Sequence, residues 1–550
     1  MDKTGTAENI APLEKRLDAL FSPYGKSDSP GLVVSIKHDE ELLLRKAYGL
    51  ASVQQSVANT TATRMRIGST SKHFTCLAAL LLAEKGKLNI DAPVTEYLPE
   101  LADHKTVPTL RQLMSHTSGY RCSLDIGTAL NGYALQPKGW TLKALANQRE
   151  YNFEPGCGQM YNNGGYHLLS IVIDRVAGIP LESFLREQVF EPMGMLDTQC
   201  APSDFEVIPG MAALHLPLGE GRYRQGFFST EEVRGEGNII STIDDMQIWL
   251  DHLIGDKRIG SEDTWQQMFQ APELENGLQT VYSLGLYRHK YRGLEVIHHA
   301  GAVIGGNSQM LAVPEHRLTV AIMCNGAPVS AQELTRSVID LVLEADISEP
   351  KPEVAPYERF KQLGGCHYHG EKSGVLVRFG ELGDRLGFSF QGSPLLPVLK
   401  ERDGGLYAGF EDVALGPLVF GDLGKPSDDV PPETISYSES GEVDTLRLLP
   451  ETPSNTESLV AALLGKYRCD EFFAEVEIAR DGEDLILSVQ GDYSPRRRFR
   501  VEPRSEIACL LHSLDEPGAA SALTIRKIND VVMRFDIDVI RARHLGFQRQ

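Results

Sequence analysis

The sequence predicts an α+β N-terminal domain built around an antiparallel sheet, followed by two all-β antiparallel barrel domains. Three observations carry this. Strand pairs and helical patterns alternate irregularly up to about residue 346. A proline-rich break, Ile347-Ser348-Glu349-Pro350-Lys351-Pro352-Glu353-Val354-Ala355-Pro356, ends that pattern. The remainder is rich in short strands and glycine turns, and it repeats itself once.

Taken in order, Leu32-Val33-Val34-Ser35-Ile36 and Leu42-Leu43-Leu44 flank His38-Asp39-Glu40-Glu41 as a hairpin. Helical patterns follow at Lys72 to Glu84, Gly165 to Val176, Leu181 to Val189, Ile243 to Leu253 and Ala331 to Ala345, with Gly86 and Gly178 as stops. Ser308 to Val313 and Thr319 to Cys324, joined by Pro314-Glu315-His316-Arg317, form a second hairpin. Past the break, Tyr368 and Tyr467 stand 99 residues apart, and so do Gln391 and Gln490 at the ends of two similar strand patterns. Two units of about 100 residues suit small barrels or sandwiches. The boundaries drawn are 1–346 for the first domain, 347–356 for a linker, 357–450 for a barrel, 451–460 for a second linker and 461–550 for the last barrel. The 550-residue length agrees with a prior of about 150 residues per domain.

Composition narrows the function. With 54 basic against 75 acidic residues, the net charge of −21 repels nucleic acid and anionic lipid. The apolar run Cys76 to Ala83 is far short of the roughly 20 residues of a membrane span. The N-terminus has no apolar signal region, so a cytoplasmic location is expected. Eight scattered cysteines without CxxC read as free thiols, and neither His298-His299 nor Cys366-His367-Tyr368-His369 has metal-ligand spacing. Neither metal nor cofactor is expected.

Three short patterns carry chemistry. In Ser69-Thr70-Ser71-Lys72, a helix beginning near Ser69 brings residues 69 and 72 together as i, i+3 neighbours. A lysine in a dry site can be partly neutral and accept the serine proton. The plain alternative is an N-cap serine beside a solvated lysine. Tyr161-Asn162-Asn163 precedes the next helix; its phenol can act as a base if cationic neighbours lower its pKa, and Asn163 can hold both Lys72 and a substrate amide. His299-Ala300-Gly301-Ala302 lies at a strand, where glycine lets a ligand approach the backbone; the N–H groups of Ala302 and Ser69 suit an oxyanion hole.

In this order, Ser69/Lys72, Tyr161/Asn163 and His299/Gly301 resemble the serine β-lactamase and penicillin-binding fold over roughly residues 25 to 345. The resemblance implies an α+β catalytic domain of the serine β-lactamase-like fold and an acyl-enzyme mechanism. His299 stands where β-lactamases usually carry a lysine that binds a substrate carboxylate, which argues against β-lactam turnover and looks like the D-aminopeptidase branch. That branch is also similar in length, in the form of the Ser69 helix and in its two trailing barrels. There a loop of the third domain limits the site to substrates with a free amino end, which implies Asp492, in Gly491-Asp492-Tyr493-Ser494-Pro495, as a partner for the substrate ammonium. Arg496, Arg497 and Arg498 beside it depart from that logic, and an exposed basic turn is their plainer reading.

The resulting expectation is a serine hydrolase releasing N-terminal D-amino acids from a small peptide, amide or ester, compatible with a homodimer. An esterase, a DD-carboxypeptidase or a β-lactamase-like hydrolase uses the same machinery, and a non-catalytic scaffold keeps the fold without the reaction.

Overall fold

The computed structural model describes residues 12–550 except 133, 229, 327–328, 401–405, 409–417, 425–428, 452–455, 492, 494–495, 515–519 and 529–530. Its N-terminal region is organised by a six-stranded sheet. The strands are β1 (Leu32–His38), β2 (Glu41–Tyr48), β3 (Tyr287–Tyr291), β4 (Leu294–Val303), β5 (Gly306–Val313) and β6 (Leu318–Cys324). Their spatial order is β3-β4-β5-β6-β1-β2, and every pairing is antiparallel. Both hairpins expected from the sequence are present as β1–β2 and β5–β6.

Alternating side chains split the central strands between two cores. Val34, Ile36, Val320 and Ile322 enter one, with Leu17 and Phe21 of α1 (Leu13–Phe21) and Val338 and Ile339 of a later helix. Val33, Met310, Ala321 and Met323 enter the other, with Phe74 and Trp249. The helices used below are α2 (Ser71–Glu84), α3 (Ser123–Asn131), α4 (Asn163–Ala177), α5 (Ile243–Ile254) and α6 (Ala331–Val342). Ser71 to Leu82 of α2 is buried all round, so this helix is the axis of its core. Gly178, at φ 74°, ends α4 as the sequence predicts. The pattern from Leu181 to Val189 is less regular than expected: Leu181–Leu185 is α-helical, and Arg186–Phe190 widens into a π turn.

Past residue 350 the chain forms two eight-stranded antiparallel barrels. The first closes through pairing of Leu396–Lys400 with Leu406–Ala408, and the second is a closed ring from Gly465–Cys469 to Ala542–Arg549. Tyr368 and Tyr467 occupy the first strand of each ring, both buried, donating to the carbonyls of Pro432 (2.9 Å) and Leu463 (2.8 Å). Gln391 follows, and Gln490 ends, the third strand of its ring. The 99-residue offset therefore joins equivalent strands of two barrels. The stretches read as linkers are partly ordered elements: Glu353–Val354 pairs with Leu396–Lys400, and Thr456–Leu463 is a helix whose Leu459, Val460 and Leu463 are buried with the last barrel.

The last barrel docks on α3. Ile126 and Leu130 of α3 share one apolar cluster with Leu487, Leu511 and Phe535 of the barrel. Polar contacts frame it: Arg534 grips Glu150 with both Nη atoms (2.7 and 2.8 Å), Arg121 pairs with Glu471, and Arg497 Nη1 donates to the carbonyls of Thr128 and Ala129 (2.7 and 2.9 Å).

Candidate active site

Ser69 lies in a 3-10 turn, Gly68–Thr70, that runs into α2. This turn is pressed against β4. Gly68 has φ 51°, and a Cβ there would meet the Ala302 nitrogen at 2.9 Å. A Cβ on Gly301 would lie 1.9 Å from the Ile67 carbonyl oxygen and 2.3 Å from Ser308 Oγ. Both glycines are needed for close approach, which brings Ser69 and Ala302 to the wall of one cavity. Thr70 Oγ1 donates to the His299 carbonyl (3.2 Å) and Ser308 Oγ to the Ile67 carbonyl (2.9 Å), locking the turn to the sheet.

One helical turn along, Lys72 is fully buried. Its Nζ donates to Ser69 Oγ (3.1 Å), Asn163 Oδ1 (2.9 Å) and the Glu236 carbonyl (2.7 Å). The solvated-lysine alternative is thereby overturned. Burial pushes its ammonium down to about 7; Glu236 opposes this and Arg541 adds to it. The nitrogen also lies over the rings of Tyr161 (4.7 Å) and Tyr166 (5.3 Å). Asn163 opens α4, whose N-cap, Asn162, accepts from the Gly165 N–H (3.2 Å).

Tyr161 is buried between His116 (ring centroids 4.2 Å apart), His299 (6.0 Å) and Tyr282 (6.1 Å). Its hydroxyl has no partner of full hydrogen-bond geometry, although nearby Ser69 favours the ionised form. The condition for Tyr161 to act as a base, a phenol lowered by cations, is not met: burial holds it above its ordinary value, with Ser69 and Arg541 opposing. Resting basicity belongs to Lys72.

His299 is buried on β4, its Nε2 within 3.0 Å of the Tyr282 hydroxyl and its Nδ1 within 2.6 Å of the Ala300 carbonyl. Burial, with His73 and Lys72 nearby, holds it well below the ordinary imidazole value. It is therefore a neutral imidazole rather than a cation.

The structure thus brings Ser69, Lys72, Tyr161, Asn163, His299, Gly301 and Ala302 together. Asp492 lies outside the described residues. Arg496 and Arg498 are drawn to Glu477 (3.2 Å) and Asp481 (2.5 Å), and Arg497 to the end of α3, so these guanidiniums are engaged as structural contacts.

Two charged residues were missed in the sequence. Arg541, at the turn between the last two strands of the last barrel, reaches the cavity of about 580 Å³ that holds Ser69 and Tyr161. Its Nε donates to Asp125 Oδ2 (3.0 Å), and its guanidinium carbon lies 5.8 Å from the Tyr161 ring centroid. Its backbone is seated as well, accepting from the Cys122 N–H (2.9 Å). Glu236 lines a recess of about 100 Å³ that also contains Ser69 and Asn163. Burial disfavours its carboxylate, but His167 at 3.2 Å holds it below the ordinary value; Oε2 is buried without a hydrogen-bond partner. Neither residue sits in a recognisable motif. Arg541 is 380 residues from Tyr161, so only the fold reveals it.

Among the described residues no helix is long and apolar enough to cross a membrane, and no group of three or more His, Cys, Asp or Glu is placed to hold a metal.

A family model described as Beta-lactamase matches residues 17–343. A D-aminopeptidase of Cereibacter sphaeroides (strain KD131 / KCTC 12085) is 25% identical over 553 residues, covering 98% of this chain and 99% of the relative. A D-aminopeptidase of Brucella anthropi is 29% identical over 329 residues, 58% of this chain and 60% of the relative. In fold, the chain is similar to the octameric penicillin-binding protein homologue from Pyrococcus abyssi (TM-score 0.55, 21% identity, 79% of this chain and 99% of the other). It is also similar to the D-amino acid amidase from Ochrobactrum anthropi SV3 (TM-score 0.51, 21% identity, 60% and 99%).

Proposed function

This chain belongs to the beta-lactamase family, and on that premise we propose that it is a serine hydrolase that releases an N-terminal D-amino acid from a small amide, peptide or ester. The observation that carries the reading is Lys72, buried, brought to about 7 and 3.1 Å from Ser69 Oγ. A neutral amine at that position takes the Ser69 proton as Oγ attacks the substrate carbonyl. The N–H groups of Ser69 and Ala302 hold the developing oxyanion, and Asn163 positions the substrate amide. Tyr161 relays the proton taken up by Lys72 to the leaving amine as the C–N bond breaks; in deacylation the same pair takes a proton from the attacking water and returns it to Ser69 Oγ as the acyl–oxygen bond breaks. His299 orients Tyr282 and keeps this wall uncharged. No step needs a cofactor.

The amino end of the substrate is assigned to the recess at Glu236. A buried carboxylate oxygen without a partner is costly, and an ammonium beside Ser69 would satisfy it. The D preference rests on the D-aminopeptidase that resembles the chain over 98% of its length.

The test offers wild type and Ser69→Ala the anilides of D-alanine and L-alanine, N-acetyl-D-alanine anilide, a simple ester and a chromogenic cephalosporin. Turnover of the D-anilide alone, absent in Ser69→Ala, is the expected result. Equal use of the blocked anilide overturns the ammonium assignment. Ester-only turnover makes the protein an esterase, and no acylation of Ser69 by any of them leaves a scaffold.

A further inference from the structure

Beside the Ser69 cavity lies a second one, of about 450 Å³, that the reaction above does not use. It is the mouth of the last barrel. Val489, Leu511, Ile537 and Leu545 line it, and all four also belong to the barrel's interior cluster. The opposite wall is α3, through Thr128 and Ala129. An eight-stranded barrel is wide enough to be filled by side chains or to hold one small ligand. Here the interior cluster meets Ile126 and Leu130 of α3, and a space remains beside that contact, towards Thr128 and Ala129.

This space adjoins the reaction cavity. Leu124, Phe228, Ile304 and Arg541 line both. The cations at its edge are already engaged, Arg541 by Asp125 and Arg497 by the carbonyls of Thr128 and Ala129. What remains is a chamber lined mostly by apolar side chains, with the paired Asp125, Arg497 and Arg541 also in its wall and Arg541 on the side towards Ser69. Its volume lies within the range of small-molecule pockets, which are apolar with a few fixed polar groups.

We infer that the mouth of the last barrel is a substrate subsite that takes a bulky apolar group, an alkyl chain or aromatic ring carried by the scissile amide or ester. The inference rests on the reading of Ser69 as the nucleophile. Such a group comes either from the side chain of the released residue or from the leaving amine, and both present the same chemistry to the chamber. The barrel is then part of the specificity apparatus.

Two measurements test this. The first uses two substrate series: p-nitroanilides of D-alanine, D-norvaline, D-norleucine and D-2-aminodecanoic acid, and D-alanine amides of propyl-, hexyl- and octylamine. In one series kcat/KM should rise by about fourfold per methylene, the equivalent of about 0.8 kcal/mol for each buried CH₂. The series that rises identifies the source of the group. Ala129→Phe and Thr128→Trp, which fill the chamber from α3, should abolish the rise while D-alaninamide, which carries no bulky apolar group on either side, is turned over as by wild type. The second measurement needs no turnover. The neutral fluorophore 1-aminoanthracene should bind Ser69→Ala protein, be displaced by octylamides more strongly than by propylamides, and bind at least tenfold more weakly when either filling substitution is added.

If binding is lost on filling but no amide is hydrolysed, the chamber stands and the hydrolase reading falls. If both series are flat, or the fluorophore binds the filled and unfilled proteins alike, the subsite is overturned. Using two filling variants, one at the exposed Thr128, guards against a single substitution that fails to fold.

Discussion

Replacing Lys72 by Met probes the site through stability as well as rate. Burial brings the ammonium from 10.5 to about 7 in the folded protein. At 1.36 kcal/mol per pH unit, keeping it charged below pH 7 destabilises the native state by about 5 kcal/mol. The unfolded chain keeps its proton up to the ordinary value, so it binds more protons than the native state between the two. As far as Lys72 is concerned, wild-type stability is lowest and flat below about 7 and climbs with pH across that window. Methionine carries no such penalty at any pH. It does lose three hydrogen bonds, to Ser69, Asn163 and Glu236, worth about 1 kcal/mol each.

Lys72→Met should therefore be more stable than wild type by about 2 kcal/mol at pH 6, equal to it near pH 8, and less stable by about 2 kcal/mol at pH 10. Urea unfolding of both proteins at the three pH values measures the gap, in which the other titrating groups cancel. In parallel, wild-type kcat/KM should rise with pH through about 7, and the variant should lose about 10²–10⁴-fold. A stability gap that ignores pH would mean that Lys72 keeps an ordinary ammonium, and the general-base argument would collapse.

Three further outcomes are expected. Glu236→Gln removes a charge that holds the Lys72 value up, so the acid limb of kcat/KM moves below 7 and the preference for D-alanine anilide over its N-acetyl form shrinks; unchanged discrimination would place the ammonium elsewhere. Arg541→Met strands Asp125 and should lower stability by about 3–5 kcal/mol, while the acid limb moves upward because a like charge near Lys72 is gone; thermal unfolding and a pH–rate profile report both. Gly301→Ala drives a methyl group into the Ile67 carbonyl, separating Ala302 from Ser69. A fall in kcat of at least about 10²-fold, the scale of losing one oxyanion donor, is expected with KM little changed, and wild-type kcat would show that the close approach is dispensable.

Much of the site was legible because its chemistry is local. Ser69 and Lys72 meet across one helical turn, Asn163 opens a helix that glycine ends, and Gly301 marks a close backbone approach. Hydrophobic alternation likewise located both hairpins, and the 99-residue offset found two equivalent barrels. What the sequence hid was long-range. Whether Tyr161 is lowered by cations or raised by burial depends on packing from four elements, and burial prevails. Arg541 reaches the cavity only because the barrel sits on α3, and a lone arginine in a strand-rich segment has no signature. The helix Thr456–Leu463 is too short and too apolar to stand out from its loop.

The placement of Arg541 also orders events in time. It lies at the tip of the final hairpin, and the strand after it, Ala542–Arg549, closes the ring by pairing with Gly465–Cys469. During synthesis the serine, lysine and tyrosine emerge and can assemble hundreds of residues before this arginine does. The reaction cavity therefore lacks one of its lining residues until the last hairpin is in place.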